Sequence, residues 1–200
     1  FSDRAKDQWS GTLSLPRVLN LNKNGSLDID VAAEVEKLRY QSFSLPPFVV
    51  QADSDARIDG TFGNSFELII EFDVSDAQEL GVKVCVSEDE AEYTIISYDK
   101  NAELLKVDTT NSGPEKSPKS IESAPLVLSK GEKLILRVFV DKSVIEIFAN
   151  SRQAIARRIF PEKADCTGVK VFTKGSNAEV TKFKSWQIAP SNPYRKYYES

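Results

Sequence analysis

The sequence contains no histidine. That single absence removes Ser-His-Asp catalysis, histidine general-base chemistry and His-ligated metal sites. Long apolar runs are missing too: none approaches the roughly 20 residues of a membrane-spanning helix, so the chain reads as soluble, with no membrane partner. Only two cysteines occur. Cys85 lies in a strand-like run and Cys166 in a loop-like one, and both read as buried free thiols in preference to a disulfide pair. Neither sign of charge dominates. Against 30 Asp and Glu stand 26 Lys and Arg, a net charge of −4, and the basic residues are scattered, so nucleic acid is not an expected partner. The start, Phe1-Ser2-Asp3-Arg4, has neither an initiator Met nor an apolar leader and reads as a cut boundary in a longer polypeptide. No cofactor or metal is called for.

What the chain has in abundance is alternation with period two. Phe66, Leu68, Ile70, Phe72 and Val74 alternate with Glu67, Ile69, Glu71 and Asp73, which predicts a long antiparallel strand with one wet side. Val82, Val84 and Val86 alternate with Lys83 and Cys85. Leu134, Leu136, Val138 and Val140 alternate with Ile135, Arg137, Phe139 and Asp141. Such strands predict an all-β fold, a sandwich of two antiparallel sheets. Asn24-Gly25-Ser26 fits a glycosylation sequon, yet between the apolar runs 19–21 and 27–31 it reads first as a hairpin turn. Residues 109–120 are rich in Ser, Pro and Gly and predict an exposed loop. Val31 to Leu38 is the single helix candidate, read as mostly extended and followed by a linker over 38–44.

Without histidine, acid–base work falls to carboxylates. Retaining glycoside hydrolysis needs two of them about 5 Å apart. Glu67 and Glu71 share a face, but alternation turns that face to water, so it reads as a solvated surface. The run from Asp53 to Gly60 imitates a calcium loop and fails, because Arg57 takes a ligand position and Ile58 the place of the turn glycine. Tyr93, Tyr98 and Phe172 are candidates for an aromatic sugar-binding platform.

Three ordered segments carry a resemblance. Trp9 to Arg17, WSGTLSLPR, resembles the W-x-G-x-x-S-x-P-R segment that closes the catalytic propeller of glycoside hydrolase family 32, the invertases, inulinases and levanases. The run LRVFVDKSVIEIFAN, Leu136 to Asn150, resembles the hairpin of that family's C-terminal β-sandwich, with Lys142 where many members place Gly. Arg158 to Pro161, Gly168 to Phe172 and Trp186 to Tyr194 follow in the family's order. The family's W-x-N-D-P-N-G-like, R-D-P-like and E-C-like catalytic segments do not occur here.

The resemblance implies residues 1–40 as the last propeller blade plus linker and residues 41–200 as the sandwich, preceded by strands of a five-bladed propeller. It implies an enzyme that hydrolyses β-fructofuranosyl bonds of sucrose or fructans with retention, of which this chain, inactive alone, is the C-terminal non-catalytic module. The implied partner is the N-terminal propeller polypeptide, with sucrose or fructan reached through it. A second copy of the chain, as a homodimer, is another candidate partner. A fructan-binding module and a purely structural or dimerisation sandwich are the alternative functions. No catalytic residue is implied. Trp9 is a candidate substrate contact, outweighed by packing inside the blade, and Arg17, Glu146 and Trp186 are candidates for the interface between modules.

Overall fold

Period-two alternation becomes strands almost everywhere in the computed structural model, which describes residues 12–23, 25–74 and 77–191. Trp9, Asn24 of the first turn and Asn192 to Tyr194 lie outside the described residues. The strands run β1 (Arg17–Leu21), β2 (Leu27–Val31), β3 (Arg39–Leu45), β4 (Phe48–Val50), β5 (Asp55–Arg57), β6 (Ser65–Asp73), β7 (Glu79–Val86) and β8 (Thr94–Asp99). They continue as β9 (Leu104–Asp108), β10 (Ile121–Pro125), β11 (Leu134–Asp141), β12 (Val144–Ala149), β13 (Gln153–Arg158), β14 (Gly168–Lys174) and β15 (Ala178–Ile188).

Two antiparallel sheets form the sandwich. One has the order β10-β9-β8-β7-β14-β5, the other β13-β12-β11-β6-β15-β3, with β4 also on β15. Their facing sides hold the core. Phe66, Leu68, Ile70 and Phe72 of β6 and Leu134, Leu136 and Val138 of β11 are wholly buried against Val82, Val84, Ile96, Leu105, Val169 and Val171 of the opposite sheet. Each such side chain contributes about 1.5–3 kcal/mol by leaving water.

Two local readings of the sequence are corrected and a third is refined. Ala33–Leu38 is a 3-10 helix and not extended chain, with Glu34 and Glu36 in its first turn and Lys37 in its last, the charge order that suits a helix dipole. Residues 39–45 are not a linker but β3, paired with β15 from Leu45↔Phe183 to Arg39↔Ile188. The 109–120 loop keeps an exposed tip but is fastened to the body at one point: Gly113 N donates to Glu92 Oε1 at 2.8 Å and Tyr93 N to Asn111 O at 2.9 Å.

Alternation also breaks within β7. Cys85 has φ 52°, and the β7–β14 register slips between Gly168 and Lys170, so Val84 and Cys85 both enter the core. The slip has the two-against-one count of a bulge. Both cysteines are free and buried.

Candidate functional site

The N-terminal strap, residues 12–38, lies across the outer face of the larger sheet. The β1–β2 hairpin pairs in register from Arg17↔Val31 to Leu21↔Leu27, and β2 is fastened to the turn after β12 by Ile29 N donating to Ser151 O at 2.7 Å. Val31 and Val35 pack on Phe139 and Phe148, with Leu15, Ile29 and Ala154 around them, in a second apolar cluster separate from the sandwich core. Sequence periodicity puts Phe139 and Phe148 on the solvent side of their strands; the strap is what covers them.

One carboxylate anchors the strap directly and a second does so through two arginines. Glu146 accepts a hydrogen bond from Leu15 N at 2.6 Å and one from Arg17 Nη2 at 3.1 Å, and the Arg17 guanidinium also lies 5.5 Å from the Phe148 ring centre. The structure therefore brings Arg17 and Glu146 together. Glu67 contradicts the solvated reading: it is completely buried. Arg39 grips it through Nε at 2.7 Å and Nη2 at 2.6 Å, and Arg137 Nε donates to it at 2.7 Å. The cluster extends from Arg137 to Asp30 at 3.2 Å and Glu36 at 3.3 Å, and from Arg39 to Glu36 at 3.0 Å. Chiefly through the Glu67 hydrogen bond, the Arg39 pKa is raised above its ordinary value. Trp186 stands beside this cluster, its ring 4.1 Å from the Arg39 guanidinium, at register with Glu67.

Chemically the cluster is a clamp. Glu67 and Glu146 lie on strands either side of Phe139, each its register partner, so strand spacing separates them by about 10 Å, twice the separation of a retaining pair. Both are also occupied by arginine. Glu71, the other member of the sequence pair, is bonded by Lys133 at 2.8 Å and Thr181 at 2.7 Å, and the Lys133 hydrogen bond above all holds its pKa below the ordinary value. Asp55, from the supposed calcium loop, is taken up by Lys83 at 2.7 Å and Lys170 at 2.9 Å.

The aromatic platform does not assemble. Tyr98 points into the core and Phe172 is buried under Lys83 and Lys174, each about 5.9 Å from its ring centre, which leaves Tyr93 by itself. The residues that sequence reasoning missed are Arg39, Glu67 and Arg137. For Glu67 and Arg137 the only signal was charge on a strand position, which looks the same whether water or a strap lies above it, and Arg39 lay in a stretch read as a linker.

Alongside the strap runs an open groove of about 980 Å³, lined by residues 12–16, by Val35 and Leu38, and by Phe139, Val140 and Ile188. Beyond it the outer side of the hairpin is bare. Every residue of β1 is exposed, and Leu13, Leu19 and Leu21 have 96%, 59% and 77% of their surface in water.

Comparison with known proteins places this arrangement. Residues 15–187 match the family described as "Glycosyl hydrolases family 32 C terminal". A sucrose-6-phosphate hydrolase of Zymomonas mobilis is 29% identical over 194 residues, covering 94% of this chain and 36% of that protein. A levanase of Bacillus subtilis is 30% identical over 199 residues, covering 94% and 28%. The chain thus spans about a third of the length of these curated relatives. Among solved structures, fructan 1-exohydrolase IIa from Cichorium intybus superposes with a TM-score of 0.81 at 19% identity, over 90% of this chain and 41% of that one. Exo-inulinase from Aspergillus awamori superposes with a TM-score of 0.73 at 20% identity, over 88% and 35%.

Proposed function

Because the chain belongs to the glycosyl hydrolase family 32 C-terminal domains, we propose that it is the non-catalytic sandwich of a retaining β-fructosidase acting on sucrose or fructans. The catalytic carboxylates sit on an N-terminal propeller polypeptide, and this chain stabilises that propeller and completes its last blade with residues 1–40. Arg17, Glu146 and Trp186 set the junction between the two modules. Substrate is met through the propeller, and the chain alone does not hydrolyse it.

One observation carries this reading: the β1–β2 hairpin has its β2 edge fastened to the sandwich and its β1 edge bare. A two-stranded ribbon is marginal by itself in water, and an unpaired apolar edge invites pairing with another chain. Here the edge strand β1 exposes Leu19 and Leu21 on one side, beside Leu27, and Val18 on the other. Charge supports the same division of labour, since Glu67 and Glu146 are spent on holding the strap in place.

The test is hydrolysis of sucrose and of inulin by this chain alone, by a separately expressed propeller polypeptide and by the two mixed. The expected result is no turnover by the lone chain and higher or longer-lived turnover in the mixture than with the propeller alone. Turnover by the lone chain would overturn the non-catalytic role, and a mixture no better than the propeller would overturn the completing one.

A further inference from the structure

The loop joining β5 to β6, residues 58–64, holds an exposed aromatic ring on an unusually well-fixed backbone. Ile58 N donates to Val169 O at 3.0 Å, Gly63 N to Thr167 O at 3.1 Å, and Gln187 Nε2 to Phe62 O at 2.8 Å. The Thr61 and Ser185 hydroxyls are bonded to each other at 2.6 Å in the buried interior. Gly60 lies flat against Phe43, so close that a Cβ there would stand 2.0 Å from the ring edge. A loop pinned at this many points has the means to tuck a phenyl ring inward, yet Phe62 keeps 61% of its surface in water.

Beside that ring opens a cavity of about 250 Å³ lined by Arg57, Asp59, Thr61, Phe62 and Thr167. Arg57 Nε stands 3.5 Å from Asp59 Oδ1, and the two side chains are 49% and 90% exposed. A guanidinium has five N–H donors and a carboxylate about four acceptor positions, so most of their hydrogen-bonding capacity faces the cavity or water. The charges cancel, which suits a neutral ligand. The volume is below the roughly 300–1,000 Å³ of drug-sized sites, the scale of one ring of a longer chain.

We propose that this is a sugar subsite. The Phe62 face stacks against the C–H surface of one sugar ring while Arg57 and Asp59 bond its hydroxyls, the usual combination of an apolar face with a few placed polar groups. The sugar is a furanose residue of a fructan, a choice of ligand that rests on the function proposed above. The subsite lies three residues from Ser65, which lines the groove, so it opens at the same end of the sandwich as the proposed junction.

The experiment is a titration of the lone chain with 1-kestose and short inulin oligomers, followed by amide NMR shifts and calorimetry. Expected are saturable shifts at Thr61, Phe62 and Gly63 with a Kd on the order of 1 mM. Phe62→Ala and Asp59→Asn are each expected to weaken binding about tenfold, equivalent to about 1.4 kcal/mol, with an unchanged thermal midpoint because both side chains are exposed. No shifts up to about 20 mM, some twentyfold above that Kd, or binding that survives Phe62→Ala, would overturn the proposal. Because no propeller is present in this titration, its failure is distinct from failure of the mixing assay.

Discussion

Replacing Glu67 by Gln removes one charge and almost no volume from a completely buried polar site. Three hydrogen bonds from two guanidinium groups converge on this carboxylate at 2.6–2.7 Å, and it is fully shielded from water while Arg39 and Arg137 keep 15% and 13% of their side-chain surface exposed. Removing one partner of a buried ion pair costs about 3–5 kcal/mol, because the remaining charge stays buried without compensation. Here the remaining charges are not wholly stranded: Arg39 retains Glu36, and Arg137 retains Glu36 and Asp30. The loss is therefore set at the lower end, about 3 kcal/mol. For a chain of this size that lowers the thermal midpoint by about 6–12 °C. Urea denaturation followed by tryptophan fluorescence and by circular dichroism measures it, and fluorescence adds a local reading because Trp186 lies against Arg39. A loss below about 1 kcal/mol, the range of exposed ion pairs, would refute the view that this cluster fastens the strap.

Other outcomes follow from single features of the fold. Lys142 adopts φ 52° in the two-residue turn between Asp141 and Val144, so Lys142→Gly is expected to raise stability by about 0.5–1 kcal/mol, and a lowered urea midpoint would contradict the strain argument. Gly81 lies so near the β8 backbone that a Cβ would stand 2.0 Å from Ile96 O; Gly81→Ala should destabilise by about 2 kcal/mol or more through forced strand separation. Burial first, then the nearby Glu92 charge, pushes the Cys85 thiol up to about 12 and raises Cys166 as well, so both should resist thiol reagents at pH 8 in the folded chain and react in urea; fast labelling without denaturant would count against this. Hydrogen bonds from Lys133 to Glu71 and from Lys106 to Asp99 hold those carboxyl pKa values below the ordinary range. A depressed folded-state value adds stability above the unfolded value and loses it as pH falls through the folded one, so the urea midpoint should be level from pH 8 to about 5 and fall below about pH 4.

The inward faces of β6, β7 and β11 were legible because alternation is a direct print of the pleat. What covers an outer face was not. Glu67, Ile69 and Glu71 have the same sequence signature, but the strap seals the first and leaves the others partly in water, a difference made by residues 30–39 far away in the chain. The β7 bulge was hidden for a related reason. Cys85 occupies an outward position in the pattern, and only its pairing with β14 turns it inward. Arg39 was lost inside a segment that reads as a linker, because its pairing partner, β15, lies about 150 residues further along. Arg17 and Glu146 were visible separately through the motifs that contain them, whereas their contact at 3.1 Å belongs to the fold. Phe62 had no sequence signal, as an exposed Phe between glycines resembles any loop residue until its backbone is seen to be pinned.

The central claim is that the bare side of the β1–β2 hairpin is a docking surface for a propeller polypeptide. The most direct measurement is the dissociation constant between this chain and that polypeptide, for the native sequence and for Leu19→Asp combined with Leu21→Asp, whose side chains keep 59% and 77% of their surface in water in the isolated chain. The account predicts saturable one-to-one binding at micromolar Kd or tighter, weakened at least tenfold by the double substitution while the lone chain stays folded, with a thermal midpoint only a few degrees lower at most (~1 kcal/mol). Binding of equal strength with both aspartates in place, or no binding by the native chain, would contradict it.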